Sequence, residues 1–119
     1  MDNLYQLIKI FGNPDALIDH WDTSSNRYAI WEFEETFSIN NKGEALLNGK
    51  LSHESPLKLF QETLDNWKSE SNELSAVGYI SYDFKNILFP HIAFSNSNST
   101  QPLLWFGKPK LVIPYQITE

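Results

Sequence analysis

Two pairs of consecutive polar residues, separated by a short loop, carry the side chains most capable of chemistry in this sequence. Asp19 and His20 interrupt the apolar run "ALIDHW", and Arg27 and Tyr28 open the segment "RYAIWEFEETFSI". A strand covered on both faces would turn one residue of the first pair inward, because successive side chains alternate. A buried carboxylate or imidazole needs a partner, which Arg27 or Tyr28 can supply. The alternative is a polar cluster at the end of a strand that only shapes the loop.

The other ionisable side chains form no recognisable catalytic or metal-binding pattern. His20, His53 and His91 are scattered, without the spacing typical of zinc ligands. Glu32 and Glu34 share one face of a predicted strand, and we interpret that face as solvated surface. The chain has no cysteine, which excludes thiolate nucleophiles and disulfides. We therefore predict no catalytic residue and no metal site in this chain.

Composition and charge restrict the class of protein and its partners. The chain has 119 residues, of which 41% are hydrophobic and 20% are charged. These values predict one globular domain that spans residues 1–119. A net charge of −6 argues against nucleic acid and anionic membranes as partners. The N-terminus lacks the features of a signal peptide, and no run approaches the roughly 18 apolar residues of a membrane helix. We expect a cytoplasmic protein.

Two amphipathic helices are predicted from apolar spacing and capping residues. Asp2 or Asn3 can cap the first helix, and Gly12 ends it. Ser55 is a good N-cap for the second helix, with Pro56 at its first position. The two apolar stripes comprise Leu4, Leu7, Ile8 and Phe11 in the first helix and Leu57, Phe60, Leu64 and Trp67 in the second.

Alternating apolar residues and turn signals predict the strands between and after these helices. "RYAIWEFEETFSI" alternates as a strand with one buried face, and Asn48-Gly49 predicts a hairpin. A strand is expected at residues 76–84, followed by two short strands in "LLWF" and "KLVIPYQIT", where Pro114 indicates an edge or a bulge. The order of elements predicts an α+β domain with a mostly antiparallel sheet and two main helices.

The stretch "AVGYISYDFKN" resembles the N-terminal region of the chorismate-utilising enzymes, namely component I of aminodeoxychorismate (para-aminobenzoate) synthase and of anthranilate synthase. A Gly-Tyr-x-x-Tyr-Asp stretch of that family is matched by Gly78, Tyr79, Tyr82 and Asp83. Two weaker stretches agree in order: "LIDH" stands at the family's Leu-Leu-Glu/Asp-Ser motif, and "RYA" stands at its Arg-Tyr-Ser stretch. "PLLWFGKPKLVIPY" is similar to the strand pair that follows the tyrosine motif. The resemblance covers nearly the whole chain and implies the N-terminal portion of the anthranilate synthase-like fold.

The resemblance also implies what this chain does not contain. In the family, the Mg²⁺ ligands, the chorismate contacts and the acid–base groups lie in a larger C-terminal domain, which is absent here. The chain is thus expected to be an N-terminal fragment that is inactive alone, while its parent aminates chorismate with ammonia from a glutamine amidotransferase partner. The sequence "SYDFKN" favours the aminodeoxychorismate branch over anthranilate synthase. The first branch supplies a folate precursor and the second supplies tryptophan. The alternative from a different class is a stand-alone, non-enzymatic domain for a small ligand or for protein interaction.

A tryptophan pocket is the further feature that the resemblance implies. The family motifs that line this pocket correspond to Asp19, His20, Arg27 and Tyr28. His20 replaces a serine of the family pattern, so an imidazole stands where a hydroxyl donor is expected. Tryptophan is therefore expected to bind this chain weakly or not at all.

The tyrosine motif itself is expected to be structural. Gly78 permits another element to approach the strand closely. Tyr79 and Tyr82 bring rings and hydroxyl groups that need partners, and Asp83 can accept backbone or tyrosine donors at the end of the strand. If a C-terminal domain is missing, an apolar face is expected to lie bare and to favour self-association. The residues expected there are Leu103, Leu104, Trp105, Leu111, Ile113 and Tyr115.

Overall fold

The computed structural model describes residues 2–19, 27–70, 74–89 and 101–116. These residues form an α+β structure with a mixed sheet and three short helices, so the predicted α+β class is confirmed. The chain divides into two compact units: unit 1 contains Met1–Glu34 and Pro109–Glu119, and unit 2 contains Glu35–Lys108. Two long strands, β3 (Arg27–Ile39) and β7 (Leu104–Gln116), contribute to both units.

Helix α1 begins and ends where its capping residues predicted, and helix α2 begins at the predicted residue. Helix α1 spans Leu4–Phe11; the side chain of Asn3 accepts a hydrogen bond from the Tyr5 N–H at 2.9 Å, and Gly12 follows with a φ of 83°. Helix α2 spans Pro56–Glu70. The predicted stripe of α2 is partly wrong, because Leu57 is exposed and Leu59 and Thr63 are buried with Trp67. A third helix, α3, spans only Lys85–Leu88.

Unit 1 is built on pairings with the two long strands. Strand β1 (Asp2–Asn3) runs parallel to β7, and β2 (Ala16–Ile18) runs antiparallel to β3. The parallel pair makes the sheet mixed, where a mostly antiparallel sheet was expected. The core of this unit is aromatic and aliphatic, and it consists of Leu4, Leu7, Ala29, Trp31 and Tyr115.

Unit 2 contains the predicted hairpin. Strands β4 (Ala45–Leu47) and β5 (Lys50–Ser52) are antiparallel, and β4 also pairs with β3. The two turn residues, Asn48 and Gly49, have φ values of 54° and 80°, as the tight hairpin turn requires. The core of unit 2 consists of Phe37, Ile39, Ala45, Leu59, Trp67, Phe84, Leu103 and Leu104.

The segment expected as one strand over residues 76–84 is shorter and ends in a turn. Strand β6 spans Val77–Ile80 and pairs antiparallel with β7; a 3₁₀ turn at Tyr82–Phe84 follows. The prediction missed this turn, which begins because the Ser81 hydroxyl accepts a hydrogen bond from the Asp83 N–H at 3.2 Å. The two short strands predicted near the C-terminus are in fact the single strand β7, thirteen residues long.

The expected bare apolar face is not found at the residues that were named for it. Leu103, Leu104 and Tyr115 are buried, and Trp105, Leu111 and Ile113 are half-buried. The prediction is wrong because all of these residues except Trp105 lie in or beside the cores of the two units. Large apolar side chains are exposed elsewhere, with Tyr82 the most exposed at 83%.

At Gly78, strand β6 lies close against the backbone of β7 in unit 2. A Cβ atom at this position would lie 1.9 Å from the Trp105 carbonyl oxygen and 2.6 Å from the Phe106 Cα. Both are backbone atoms of the paired strand, so no side-chain rotation can relieve the clash. Only glycine therefore fits this register of β6 against β7.

We predict that Gly78→Ala lowers the free energy of unfolding by about 3 kcal/mol or more, because the two backbones must separate. Gly49→Ala is the matched control: its φ of 80° strains alanine by about 1–2 kcal/mol, but a Cβ there meets no atom within 4 Å. Urea unfolding followed by tryptophan fluorescence measures both. Equal losses in the two variants would contradict the close approach at Gly78.

Glu32 departs from the extended conformation in the middle of β3. Its φ is 63°, in the left-handed region that side chains other than glycine, asparagine and aspartate seldom adopt. The Glu32 N–H donates a hydrogen bond to Asp15 Oδ2 at 2.7 Å, and Lys110 Nζ lies 3.2 Å from Glu32 Oε2. These two contacts hold an unfavourable backbone conformation in place.

Glu32→Asn and Glu32→Val make a paired test of this conformation. Both remove the charge, but asparagine tolerates the left-handed region, whereas a β-branched residue does not. We expect the valine variant to be less stable than the asparagine variant by about 1–2 kcal/mol in urea unfolding. The opposite order would show a regularly extended residue 32, since valine is the better strand former.

Candidate functional site

Strands β2 and β3 bring the first candidate residues together. Their antiparallel register places Ile18 opposite Tyr28, so Asp19 leaves one strand where Arg27 enters the other. Arg27 Nε lies 2.6 Å from Asp19 Oδ1. Arg27, one of the two residues considered as a partner, thus contacts Asp19. His20 lies outside the described residues.

This ion pair lies at the surface, and not inside a covered strand. The Asp19 side chain is 63% exposed and the Arg27 side chain is 38% exposed. The expectation of an inward-facing ionisable residue therefore does not hold for Asp19. Tyr28 is half-buried. Within the part of the chain that the structure describes, it makes no hydrogen bond or ion pair with Asp19 or Arg27.

Tyr115 is a buried phenol whose titration is influenced by this ion pair. It is only 3% exposed and belongs to the core of unit 1. Burial raises the pKa of Tyr115 above its ordinary value of 10.0; the Asp19 carboxylate raises it further and the Arg27 guanidinium opposes both. The two charges of the Asp19–Arg27 pair thus act on the pKa of Tyr115 in opposite directions.

Sequence reasoning missed the role of Tyr115 by placing it on a bare face. The alternation of Leu111, Ile113 and Tyr115 along β7 was the available signal, since it puts the ring on the same side as two aliphatic residues. Nothing in the local sequence shows that this ring lies near Asp19 and Arg27, because they lie far away in the chain.

The arrangement can bind the head group of a small zwitterion. A guanidinium binds carboxylates through paired hydrogen bonds, and a carboxylate binds ammonium groups. Both groups of the Asp19–Arg27 pair are open to solvent, so a ligand can exchange with the contact between them.

The tyrosine motif forms a separate cluster in unit 2. Lys85 Nζ lies 3.3 Å from Asp83 Oδ1 and 4.1 Å from the centre of the Tyr82 ring. The partner of Asp83 is thus a lysine, and not the backbone or tyrosine donor that was expected. Tyr79 and Tyr82 are 41% and 83% exposed, so their rings lie mainly outside the core.

Two further properties bear on the class of site. Among the described residues, no three His, Asp or Glu side chains lie close enough together to hold a metal ion. No helix in the described ranges is both long and apolar enough to cross a membrane.

Comparison with protein-family models, with curated proteins and with solved structures finds no match to this chain.

We predict that the pKa of Tyr115 falls in Asp19→Asn and rises in Arg27→Gln, because the first change removes a negative charge and the second a positive one. NMR titration of the labelled tyrosine rings measures both shifts, with exposed Tyr82 as the internal reference. Folding raises the pKa of Tyr115, so the neutral phenol contributes to the stability of the folded state below pH 10.0. This contribution is lost as the pH rises through the pKa of Tyr115 in the folded state. An unchanged pKa of Tyr115 in both variants would contradict its position beside the pair.

Proposed function

We propose that this chain is the N-terminal region of component I of an aminodeoxychorismate synthase and that it supplies scaffold and part of a tryptophan pocket. The parent enzyme aminates chorismate, in the presence of Mg²⁺, with ammonia from a glutamine amidotransferase partner. The basis is the resemblance carried by Gly78, Tyr79, Tyr82 and Asp83, together with the stretches "LIDH" and "RYA".

The Asp19–Arg27 ion pair is the observation on which the proposal depends most. The two residues come from the two separate stretches that line one pocket in the family pattern, and their atoms are 2.6 Å apart. A shared binding site requires such proximity, and the antiparallel register of β2 and β3 produces it. In this proposal Arg27 binds the ligand carboxylate and Asp19 binds its ammonium group, with Tyr28 and His20 as the other pocket positions.

In this proposal, the chemistry of amination belongs to the catalytic domain of the parent enzyme. The described residues gather no group of metal ligands, so we assign no Mg²⁺ contact to them. The role of this chain is to hold the pocket and to pack against the catalytic domain in the cytoplasm. Gly78 supports that role, since it fixes the register of β6 against β7.

A second candidate is a stand-alone domain that binds a small ligand or a protein. The burial of Leu103, Leu104 and Tyr115 favours this candidate. These residues were expected to be exposed unless a further domain covered them. The two candidates differ in their metabolic consequence, because only the first connects the gene to para-aminobenzoate.

Disruption of the gene in its own host tests the first candidate. We expect growth on minimal medium to require para-aminobenzoate and to be restored by it but not by tryptophan. A gene copy that encodes Gly78→Ala should not restore growth of the disrupted strain if the substitution prevents folding. A copy that encodes Tyr82→Phe should restore growth, because the Tyr82 ring is exposed.

Rescue by tryptophan alone would instead assign the protein to the anthranilate branch. Unimpaired growth without either supplement, in a host with no second gene for this step, would contradict both enzymatic assignments and leave the stand-alone domain.

A further inference from the structure

A cleft in unit 1, distinct from the Asp19–Arg27 pair, combines aromatic and charged side chains. Its volume is about 530 Å³, within the range of small-molecule sites. Phe11 at the end of α1 and Trp31 on β3 form its apolar side. Asp15, Glu32 and Lys110 form its charged side. All five residues belong to the same compact unit.

The aromatic side has a fixed geometry. The ring centres of Phe11 and Trp31 are 5.4 Å apart with an angle of 49° between the planes. The Trp31 indole N–H donates a hydrogen bond to the Gly12 carbonyl oxygen at 3.0 Å, which fixes the indole and satisfies its polar group. Phe11 remains 46% exposed although it lies on the apolar stripe of α1. These rings can therefore contact an apolar group without rearrangement.

The charged side has an excess of negative charge. Asp15 and Glu32 contribute two carboxylates and Lys110 contributes one ammonium, so the three groups sum to −1. One Asp15 oxygen accepts the Glu32 N–H at 2.7 Å, and within the described residues its other oxygen has no protein donor. Glu32 and Lys110 are more than half exposed, at 69% and 61%, so a ligand can compete for their ion pair.

The strained backbone of Glu32 lies at the junction of these two sides. A left-handed φ of 63° at a glutamate is unfavourable, and such residues cluster at ligand-binding and active sites. The conformation directs the N–H of Glu32 to Asp15 and so fixes the Asp15 carboxylate next to the rings. This is a pre-arranged negative charge beside an apolar surface.

We propose that this cleft binds a small organic cation, an amine that carries an aromatic or aliphatic body. The ammonium group pairs with Asp15, and the body contacts Phe11 and Trp31, whose ring faces also attract cations. An anion would meet two carboxylates, and a neutral analogue would leave the Asp15 charge without a partner. This inference rests on the cleft alone and does not depend on the proposed function.

Binding of 2-phenylethylamine tests the proposal, with 2-phenylethanol and 3-phenylpropionate as neutral and anionic probes of the same shape. NMR titration of the isotopically labelled chain gives both the affinity and the residues that respond. We expect a dissociation constant on the order of 1 mM for the amine, as is usual for so small a ligand. The other two probes should bind at least about 5-fold more weakly. The shifts should centre on Phe11, Asp15 and Trp31.

Asp15→Asn separates the charge of Asp15 from its structural role, because the asparagine oxygen can still accept the Glu32 N–H. We expect this variant to bind the amine about 5-fold more weakly and to bind 2-phenylethanol unchanged. Glu34→Gln is the matched control: it removes the same charge from an exposed residue of β3 that does not line the cleft. Its affinity for the amine should equal that of the natural sequence.

Three results would overturn the proposal. These are equal affinities for the three probes, shifts centred away from the cleft, and unchanged amine binding in Asp15→Asn. If Asp15→Asn perturbs the spectrum beyond the cleft, Glu32→Gln tests the negative charge of the cleft instead, because it changes the sum of the three charges from −1 to 0. Unchanged amine affinity in that variant would then reject the site.

Discussion

The burial of three consecutive residues in β3 is the constraint on which unit 1 depends. Ala29 and Ile30 are fully buried and Trp31 is 6% exposed, so this part of the strand is covered on both faces. Each fully buried large side chain contributes about 1.5–3 kcal/mol of transfer free energy. The polar residues of the strand must therefore lie outside this stretch, and they do so at Arg27 on one side and at Glu32 on the other.

The ion pairs at these two positions contribute little to stability by comparison. Exposed pairs such as Asp19–Arg27 and Glu32–Lys110 are worth about 0–1 kcal/mol each, and salt screens them. That is less than the free energy from burying a single side chain of the neighbouring core. The neighbouring core therefore sets the positions of these charged side chains, because the attraction within each ion pair is too weak to do so.

Local signals in the sequence predicted the elements whose ends depend on a few neighbouring residues. Helix α1, the start of α2, strand β3 and the Asn48-Gly49 hairpin were all predicted from caps, alternation or turn residues. Features that depend on residues far apart in the chain were missed. Burial of Tyr115 requires α1 and β3, and the register at Gly78 requires the backbone of β7. Arg27 could be considered as a partner of Asp19 because only a short loop separates the two residues in the sequence.

The left-handed residue at Glu32 could not be predicted because the sequence around it reads as a regular alternating strand. Asp15 stabilises that conformation from another segment, seventeen positions away. A conformation that costs free energy locally persists only where the surrounding structure enforces it. Here the buried stretch 29–31 fixes the strand on one side of residue 32, and the Asp15 carboxylate fixes its N–H. The same rigid stretch orients Arg27 at its other end. Because these charged groups are already held in place, a ligand that binds them does not have to order the protein further. The loss of conformational entropy on binding is therefore small. The core of unit 1 thus positions two groups of charges: a balanced ion pair at Asp19 and Arg27, and an excess of negative charge at Asp15, Glu32 and Lys110 beside aromatic rings.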